Sequence, residues 1–464
     1  MKPLGKIEPT HEQLQLFTTP HPMNRIIRGA AGSGKTTVAL LMLRLAITFH
    51  RSNRLRNRDD AKPIKAMVFT FNTTLSSYVR ELAEQIGKDI EIEVQTLAKY
   101  CWNRYPNIRK LKTVNNIQCS PFTIPDTYGL DLDYLCSEVD YILGRFPKDN
   151  LDLYLDATRV GRGTKPRIDK ALRQKILDNI VLPYQEFKTL HNIVDWNDIN
   201  QYPIKHLDDK FDIIIADETQ DFSANELRTI VSMLHEQSHG TFVIDTVQKI
   251  YNRGFTWKEV GLEIRSQNSF RLQKNYRNTF EIARLGYQLL KQIGIDADGT
   301  QPNYDSCHVS GTLPKLICGL FSQQADFAID FVKKEVDLES ETVCFLSRSQ
   351  KTQGFLKKIL SQNGIQFANL TKSSSWPAID SNVVLSTMHS AKGLEFDHVI
   401  LLGLSDEFLR YEEDSESDSY VTTCKLLTVS ITRAKKSVTL GYKNGDKPKL
   451  LDLIDNDTYE YVEL

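Results

Sequence analysis

Two short strings in this chain have the residue types and spacing for joint chemistry on a phosphate. Gly29–Thr36 reads GAAGSGKT, a fit to G-x-x-x-x-G-K-[ST] lying between the apolar run RIIR (Arg25–Arg28) and an apolar stretch of helical character from Lys35 to about Phe49. In such a loop Gly29, Gly32, Ser33 and Gly34 let backbone N–H groups curl around phosphate oxygens at the positive end of the following helix. Lys35 would reach the β- and γ-phosphates and the Thr36 hydroxyl would hold Mg²⁺. Thr37 follows in the same helical turn. The second string is Asp217-Glu218, directly after the strand-like run FDIIIA (Phe211–Ala216). A carboxylate at the carboxyl end of a buried parallel strand stands where such sheets bind ligands. There Asp217 would join the Mg²⁺ shell, and Glu218 would polarise the attacking water. An Asp-Glu pair alone is most often a surface charge. Following a buried strand in a chain with a phosphate loop, it reads as a hydrolytic pair.

The elements that must hold these residues follow one rhythm of apolar strand, turn and helix. Strands are expected at Arg25–Arg28, Lys65–Phe71, Phe211–Ala216 and Thr241–Asp245, with an amphipathic helix over Leu75–Ile86. A second set is expected at Lys315–Leu320, Thr342–Leu346, Val383–Ser386, His398–Leu402 and Val438–Gly441. Buried β-rich runs alternating with helices predict α/β lobes with parallel, doubly wound sheets. Between about Tyr100 and Asp195 the period becomes helical, which predicts a mostly helical insertion in the first lobe. The expected division is 1–98 and 195–272 for lobe one, 99–194 for the insertion and 273–464 for lobe two.

Composition narrows the class. The chain has 464 residues with 58 Lys+Arg against 59 Asp+Glu, a formal net charge of −1. No global positive field draws it onto a polyanion, so any such site is a local patch. Of two basic runs, Arg51–Lys65 reads as a solvated surface, and Arg159–Lys175 reads either as such a surface or as a phosphate-backbone contact. The acidic run Asp406–Asp418 reads as a solvated face. Seven cysteines lie scattered with no C-x-x-C pair, the pattern of reduced, mostly buried thiols. The N-terminal MKPLGKIEPTHEQ has no apolar h-region, and the longest apolar run, near Val399–Leu404, falls far short of a membrane span. A cytoplasmic protein without membrane contact is the expectation.

With DETQDF (Asp217–Phe222) beside the phosphate loop, the chain resembles a UvrD/Rep-type superfamily 1 DNA helicase. Further strings carry the resemblance in order: THEQ (Thr10–Gln13), FTFNTTL (Phe69–Leu75), VQTLAKY (Val94–Tyr100) and IDTVQKIYNRG (Ile244–Gly254). NYR (Asn275–Arg277), TMHSAKGLEF (Thr387–Phe396) and VSITRA (Val429–Ala434) complete the set. The resemblance implies two RecA-like lobes that use ATP and Mg²⁺. Gln13 would read adenine, Tyr276 would stack on it and Glu395 would bind the ribose. Gln248 would sense the γ-phosphate, and Arg277 and Arg433 would reach it as arginine fingers from lobe two.

A single strand of nucleic acid, DNA by family, would run over both lobes. Phe71, Asn72, Thr96, Tyr251, Arg253, Trp257, Thr387 and His389 are its candidate contacts. Ordinary core packing competes for Phe71, Tyr251, Phe255 and Trp257, and a satisfied buried histidine competes for His389. The chain also departs from the family pattern. Ile244 replaces a glycine, IYNRG is one residue short, which implies either that Phe255 or Trp257 substitutes for the missing aromatic or that the grip is weaker, and Thr37 stands where many relatives carry Arg. Between Arg277 and Thr387, lobe two's own units leave only Asn278–Ser310, so the family's large mobile subdomain is expected to be absent or vestigial. With only a short stretch after Ala434, no fused nuclease is expected. The leading expectation is an ATP-dependent 3′→5′ translocase or helicase. The alternative is a DNA-stimulated ATPase subunit that senses or remodels DNA for a partner effector, such as a nuclease in an anti-phage system.

Overall fold

The computed structural model describes residues 24–29, 32–57, 63–70, 89–158, 165–245, 255–272, 274–291, 304–307, 309–348, 353–370, 381–391, 394–411 and 417–464, with isolated positions between them. The described residues fall into two compact units. The first is drawn from Met1–Arg28, Lys35–Ile244 and Tyr251–Arg271, the second from Gly29–Gly34, Asp245–Ile250 and Leu272–Leu464.

The first unit contains strands β1 (Arg25–Gly29), β2 (Ile64–Phe69), β3 (Ile90–Gln95), β4 (Lys112–Val114), β5 (Ile193–Asp195), β6 (Phe211–Ala216), β7 (Leu234–Ile244) and β8 (Ser269–Leu272). Its main sheet has the order β3-β2-β6-β7-β1-β8. The pairs β3·β2, β2·β6, β6·β7 and β7·β1 are parallel. RIIRG, IKAMVF and FDIIIA are buried almost throughout, as expected of parallel strands covered on both faces. The outermost β3, IEIEVQ, alternates exposed and half-buried residues instead. Parallel pairing sends Thr70, Thr96 and Asp217, each directly after a strand, to the same carboxyl edge.

The helical insertion has its own core. Helix Leu132–Arg145 is capped by Asp131. Helix Lys170–Ile176 runs through a π-type turn, Leu177–Val181, into helix Leu182–Leu190. Leu135, Val139, Ile142, Ile176, Ile180 and Tyr184 pack together there, while β4 and β5 form a separate parallel pair. Helix Leu97–Arg104 belongs to the sheet core, with the Tyr100 ring 5.7 Å from Phe69.

The second unit contains β9 (Lys315–Cys318), β10 (Val343–Ser347), β11 (Ala368–Leu370), β12 (Val383–Thr387), β13 (Phe396–Leu404), β14 (Ala434–Tyr442) and β15 (Glu460–Glu463). They form one sheet in the order β11-β12-β10-β13-β14-β9-β15. Every neighbouring pair in it is parallel. Apolar clusters cover both faces, one under helices Phe280–Leu290 and Asp418–Ile431, the other under Phe321–Lys334 and Gln353–Gln362. The fold is α/β, with two RecA-like doubly wound parallel-sheet lobes and a mostly helical insertion in the first. No helix among the described residues is long and apolar enough to cross a membrane. All seven cysteines are unbridged.

Candidate functional site

In the first unit, β1 is followed closely by helix Lys35–Asn57, which begins at Lys35 itself. Lys35, Thr36 and Thr37 are half-buried in its first turn. At the carboxyl end of β6, the Asp217 N–H donates to the Phe69 carbonyl at 2.9 Å, which fixes the residue against β2. Its side chain is buried. Thr70 Oγ1 donates to Asp217 Oδ2 at 3.4 Å, and the Glu218 N–H donates to Oδ1 at 3.0 Å. Burial, followed by the charge of Glu218, pushes the Asp217 carboxyl up to about 7 against the pull of Lys35 and Thr70. A buried carboxylate penalised in this way is suited to a cation. Among the described residues no group of three or more His, Cys, Asp or Glu could hold a metal ion. A Mg²⁺ at Thr36 and Asp217 would therefore complete its shell with water and phosphate oxygens, as that ion commonly does.

Glu218 sits at φ 50°, in the left-handed region that a non-glycine residue rarely adopts. Its carboxylate accepts a hydrogen bond from Gln220 Nε2. Strain at a residue proposed to handle water is the kind of outlier that gathers at working sites. The next helix, Ala224–Ser232, is locked by a capping box between Ser223 and Glu226.

Gly29–Gly34 packs as part of the second unit. Gly32 and Gly34 have φ of 79° and 78°. A Cβ on Gly32 would strike the Asn275 carboxamide and come within 2.7 Å of Arg277 Cβ, so only glycine fits there. The Tyr276 N–H donates to the Gly32 carbonyl at 2.8 Å. Ser33 is buried, and its Oγ makes no hydrogen bond among the described residues. An orphaned buried hydroxyl beside left-handed glycines fits an anionic oxygen.

Asn275 Oδ1 accepts the N–H groups of Arg277 and Asn278 at 3.0 and 3.2 Å. Asn278 Nδ2 donates to the carbonyls of Thr432 and Ala434 at 3.0 and 2.6 Å. The segments bearing Arg277 and Arg433 are thus tied through one carboxamide. Arg433 is buried, with Nε donating to the Val429 carbonyl and Nη1 to the Leu394 carbonyl, each at 3.2 Å. Arg277 pairs with Glu395, whose other oxygen lies 3.2 Å from Lys435 Nζ. Desolvation opposes the Glu395 charge, but Arg277 and Lys435 outweigh it and hold the carboxyl down at about 2. Tyr276 is half-buried. Glu395 and Arg433 directly precede β13 and β14, at the amino edge of the sheet.

The candidate strand contacts stand as follows. Thr96 Oγ1 accepts from the Lys99 N–H at 3.2 Å and caps helix Leu97–Arg104. Trp257 is half-buried, its ring 5.4 Å from Phe255 and 6.2 Å from Phe242. Thr387 ends β12, with its hydroxyl donating to Ser390 Oγ at 2.8 Å, and His389 is half-buried in the turn that follows. Gln13, Phe71, Asn72, Gln248, Tyr251 and Arg253 lie outside the described residues. Sequence reasoning missed Arg348, which directly follows β10 in register beside Thr387's strand. Burial, together with the charge of Arg410, lowers its guanidinium below the ordinary arginine value, and its Nη1 makes no hydrogen bond among the described residues. An arginine after a buried apolar run at a carboxyl edge was the available signal. In the second basic run, Arg173 is spent on the fold, its Nη1 donating to the carbonyls of Tyr154, Leu155 and Ala157.

Residues 368–445 match the family model described as the UvrD-like helicase C-terminal domain. A protein described as "Probable DNA helicase" from Mycoplasma pneumoniae is 22% identical over 472 residues, covering 92% of this chain and 81% of that protein. The "ATP-dependent DNA helicase Rep" of Buchnera aphidicola is 30% identical over 98 residues, 19% of this chain and 15% of its own length. The Escherichia coli protein of the same description is 39% identical over 57 residues, 12% of this chain and 8% of its own. A solved C-terminal domain of a possible DNA helicase from a Lactobacillus aligns over 40% of this chain at 20% identity with a TM-score of 0.30, too loose a likeness to bear on the fold. The family match, the near full-length relative and the Rep alignments point the same way: the chain is similar to UvrD/Rep-type DNA helicases, most specifically over residues 368–445.

Proposed function

We propose that this protein hydrolyses ATP to move along single-stranded DNA in the 3′→5′ direction and to unwind duplex ahead of it. Lys35 and the loop Gly29, Gly32, Ser33 and Gly34 hold the phosphates, with Thr37 beside them, and Gln13, Tyr276 and Glu395 hold the nucleoside. Glu218 orients and deprotonates the attacking water, and Gln248 reads the γ-phosphate. Arg277 and Arg433 stabilise charge developing on the transferred phosphoryl group, the task for which a guanidinium is best shaped. Thr36 and Asp217 would hold Mg²⁺, which neutralises phosphate charge when bound. Residues 1–98 and 195–272 act as motor lobe one, 273–464 as lobe two, and 99–194 as the strand guide. The strand runs over Phe71, Asn72, Thr96, Tyr251, Arg253, Trp257, Thr387 and His389, with Arg348 added as a phosphate contact.

The observation that carries this reading is the Asn275–Asn278 turn. It binds Gly32 through Tyr276 and pins the Arg433 segment through Asn278. The phosphate loop's glycines and both arginine motifs thereby meet in one packed body. The test is ATP turnover with and without single-stranded DNA, followed by unwinding of a 3′-tailed duplex, with Lys35→Ala as the inactive control. DNA-stimulated turnover with unwinding supports the reading, and turnover indifferent to DNA refutes it. The short stretch between helix Phe280–Leu290 and β9, where the family places a mobile subdomain, favours one other reading. In that reading the chain is a DNA-stimulated ATPase working beside an effector such as a nuclease, and stimulation without unwinding would select it.

A further inference from the structure

The first long helix of the insertion ends on a buried arginine. Arg145 closes helix Leu132–Arg145 with its side chain 5% exposed. Its fork is bidentate on Glu259, with Nε donating to Oε2 at 3.2 Å and Nη2 to Oε1 at 2.8 Å. Nη1 donates to the Thr158 carbonyl at 2.7 Å and to the Tyr141 hydroxyl. A second arginine closes the knot. Arg228 Nε donates to the Glu259 carbonyl at 3.2 Å, and its Nη1 donates to the Arg145 carbonyl and to Asn225 Oδ1, both at 2.6 Å. Asn225 Nδ2 in turn donates to the carbonyls of Leu143 and Phe146, each at 2.8 Å.

What this knot holds is the single 3-10 turn Trp257–Val260. Thr256 caps the turn, and Gly261 ends it at φ 84°. A lone 3-10 turn has little stability of its own, so its placement comes from its tethers. Glu259 is the charged tether, two residues beyond Trp257, whose half-buried ring rests on Phe255 and Phe242. The helix carrying Arg228 and Asn225 is capped by Ser223, just past Asp217 and Glu218.

We propose that Arg145 is a positioning residue for nucleic-acid binding: through its bidentate pair with Glu259, the helical insertion fixes the Trp257 turn and so sets the grip on single-stranded nucleic acid. This rests on the reading above that Trp257 is a base-stacking platform. A lysine carries the same charge at Arg145 but not the planar fork, so it cannot hold both carboxylate oxygens in fixed geometry.

The test uses the full chain, oligothymidylate as the probe and two conservative variants, R145K and E259Q. Glu259 is 33% exposed and Gln matches its shape, so E259Q keeps the fold in case R145K does not. Binding is read by fluorescence anisotropy, together with the ATP turnover rate at saturating oligonucleotide and the thermal unfolding midpoint. The expected result for both variants is about tenfold weaker oligonucleotide binding, within the range for losing one stacking platform, with the saturating turnover rate kept. Wild-type binding by E259Q overturns the proposal. A fall in saturating rate without weaker binding also overturns it, because a general strut would act that way. Trp257→Ala separates the two layers. If it binds as the wild type does, the platform reading and this inference fall together. If it weakens binding while R145K and E259Q do not, only the role of Arg145 falls.

Discussion

The two units present their candidate residues in opposite ways. In the first, Thr70, Thr96 and Asp217 line one carboxyl edge of a parallel sheet, the place where such sheets ordinarily bind ligands. In the second, Thr387 and Arg348 lie at the carboxyl edge, but Glu395 and Arg433 lie at the amino edge. The style of support differs as well. Asp217 is buried with its charge penalised, and so it is poised for an occupant. Glu395 already pairs with Arg277 and Lys435, and Arg433 already donates from Nε and Nη1 to two main-chain carbonyls. One lobe keeps an electrostatic debt for a ligand to settle, while the other keeps its cations folded back on itself. The difference teaches that the second set must exchange partners before it can act on a phosphate.

Four substitutions would break or sharpen that contrast. The largest effect is expected from Arg433→Ala, which removes a guanidinium of a kind worth about 10³–10⁵ in phosphoryl-transfer rate. Single-turnover ATP hydrolysis checks it, and near wild-type turnover would show that this buried arginine is merely structural. Glu218→Gln comes next, with an expected loss of about 10²–10⁴ in turnover, the usual worth of a positioned base. Equilibrium binding of ATP should survive in that variant, which places the defect in chemistry and not in capture. Gly32→Ala should then weaken ATP binding by about tenfold, since a left-handed alanine costs roughly 1–2 kcal/mol before its clash with Asn275 is counted. Titration with a fluorescent ATP analogue measures the change.

The smallest effect concerns Glu341, whose carboxyl is held at about 2, well below 4.5, by Lys436 first and then, against desolvation, by His398 and the Asp337 N–H. A depressed carboxylate contributes stability that is present above its unfolded value and lost as pH falls through its folded one. Glu341→Gln should therefore lower the unfolding midpoint by a few degrees at pH 6 and by nothing near pH 2. A gap that persists at pH 2 would show that packing, not charge, is involved.

The chemistry-bearing turns of the first unit were legible because each follows a continuous apolar run, and burial on both faces writes that run into the composition. FDIIIA is a strand over its full expected length, and the helix from Lys35 is present. That helix continues to Asn57 through polar HRSNRLRN, and β7 starts at Leu234 through polar HEQSHG, where polar residues, some exposed and some buried like Ser238 and His239, hide the period. The edge strands β3, β11 and β15 escaped for the same reason: an edge is short or alternates, and apolar runs do not mark it. The carboxamide ties of Asn275 and Asn278 and the Arg145–Glu259 pair could not be read in advance. Each depends on a partner brought near by tertiary packing, and residue type alone does not name that partner.

The amide of Asn278 has a further consequence. By gripping the main chain on both sides of Arg433 while sitting next to Arg277, it ties together the two backbone segments that carry these arginines. If the two positive charges act on one phosphate, as proposed, a neutral side chain couples the backbones that must deliver them.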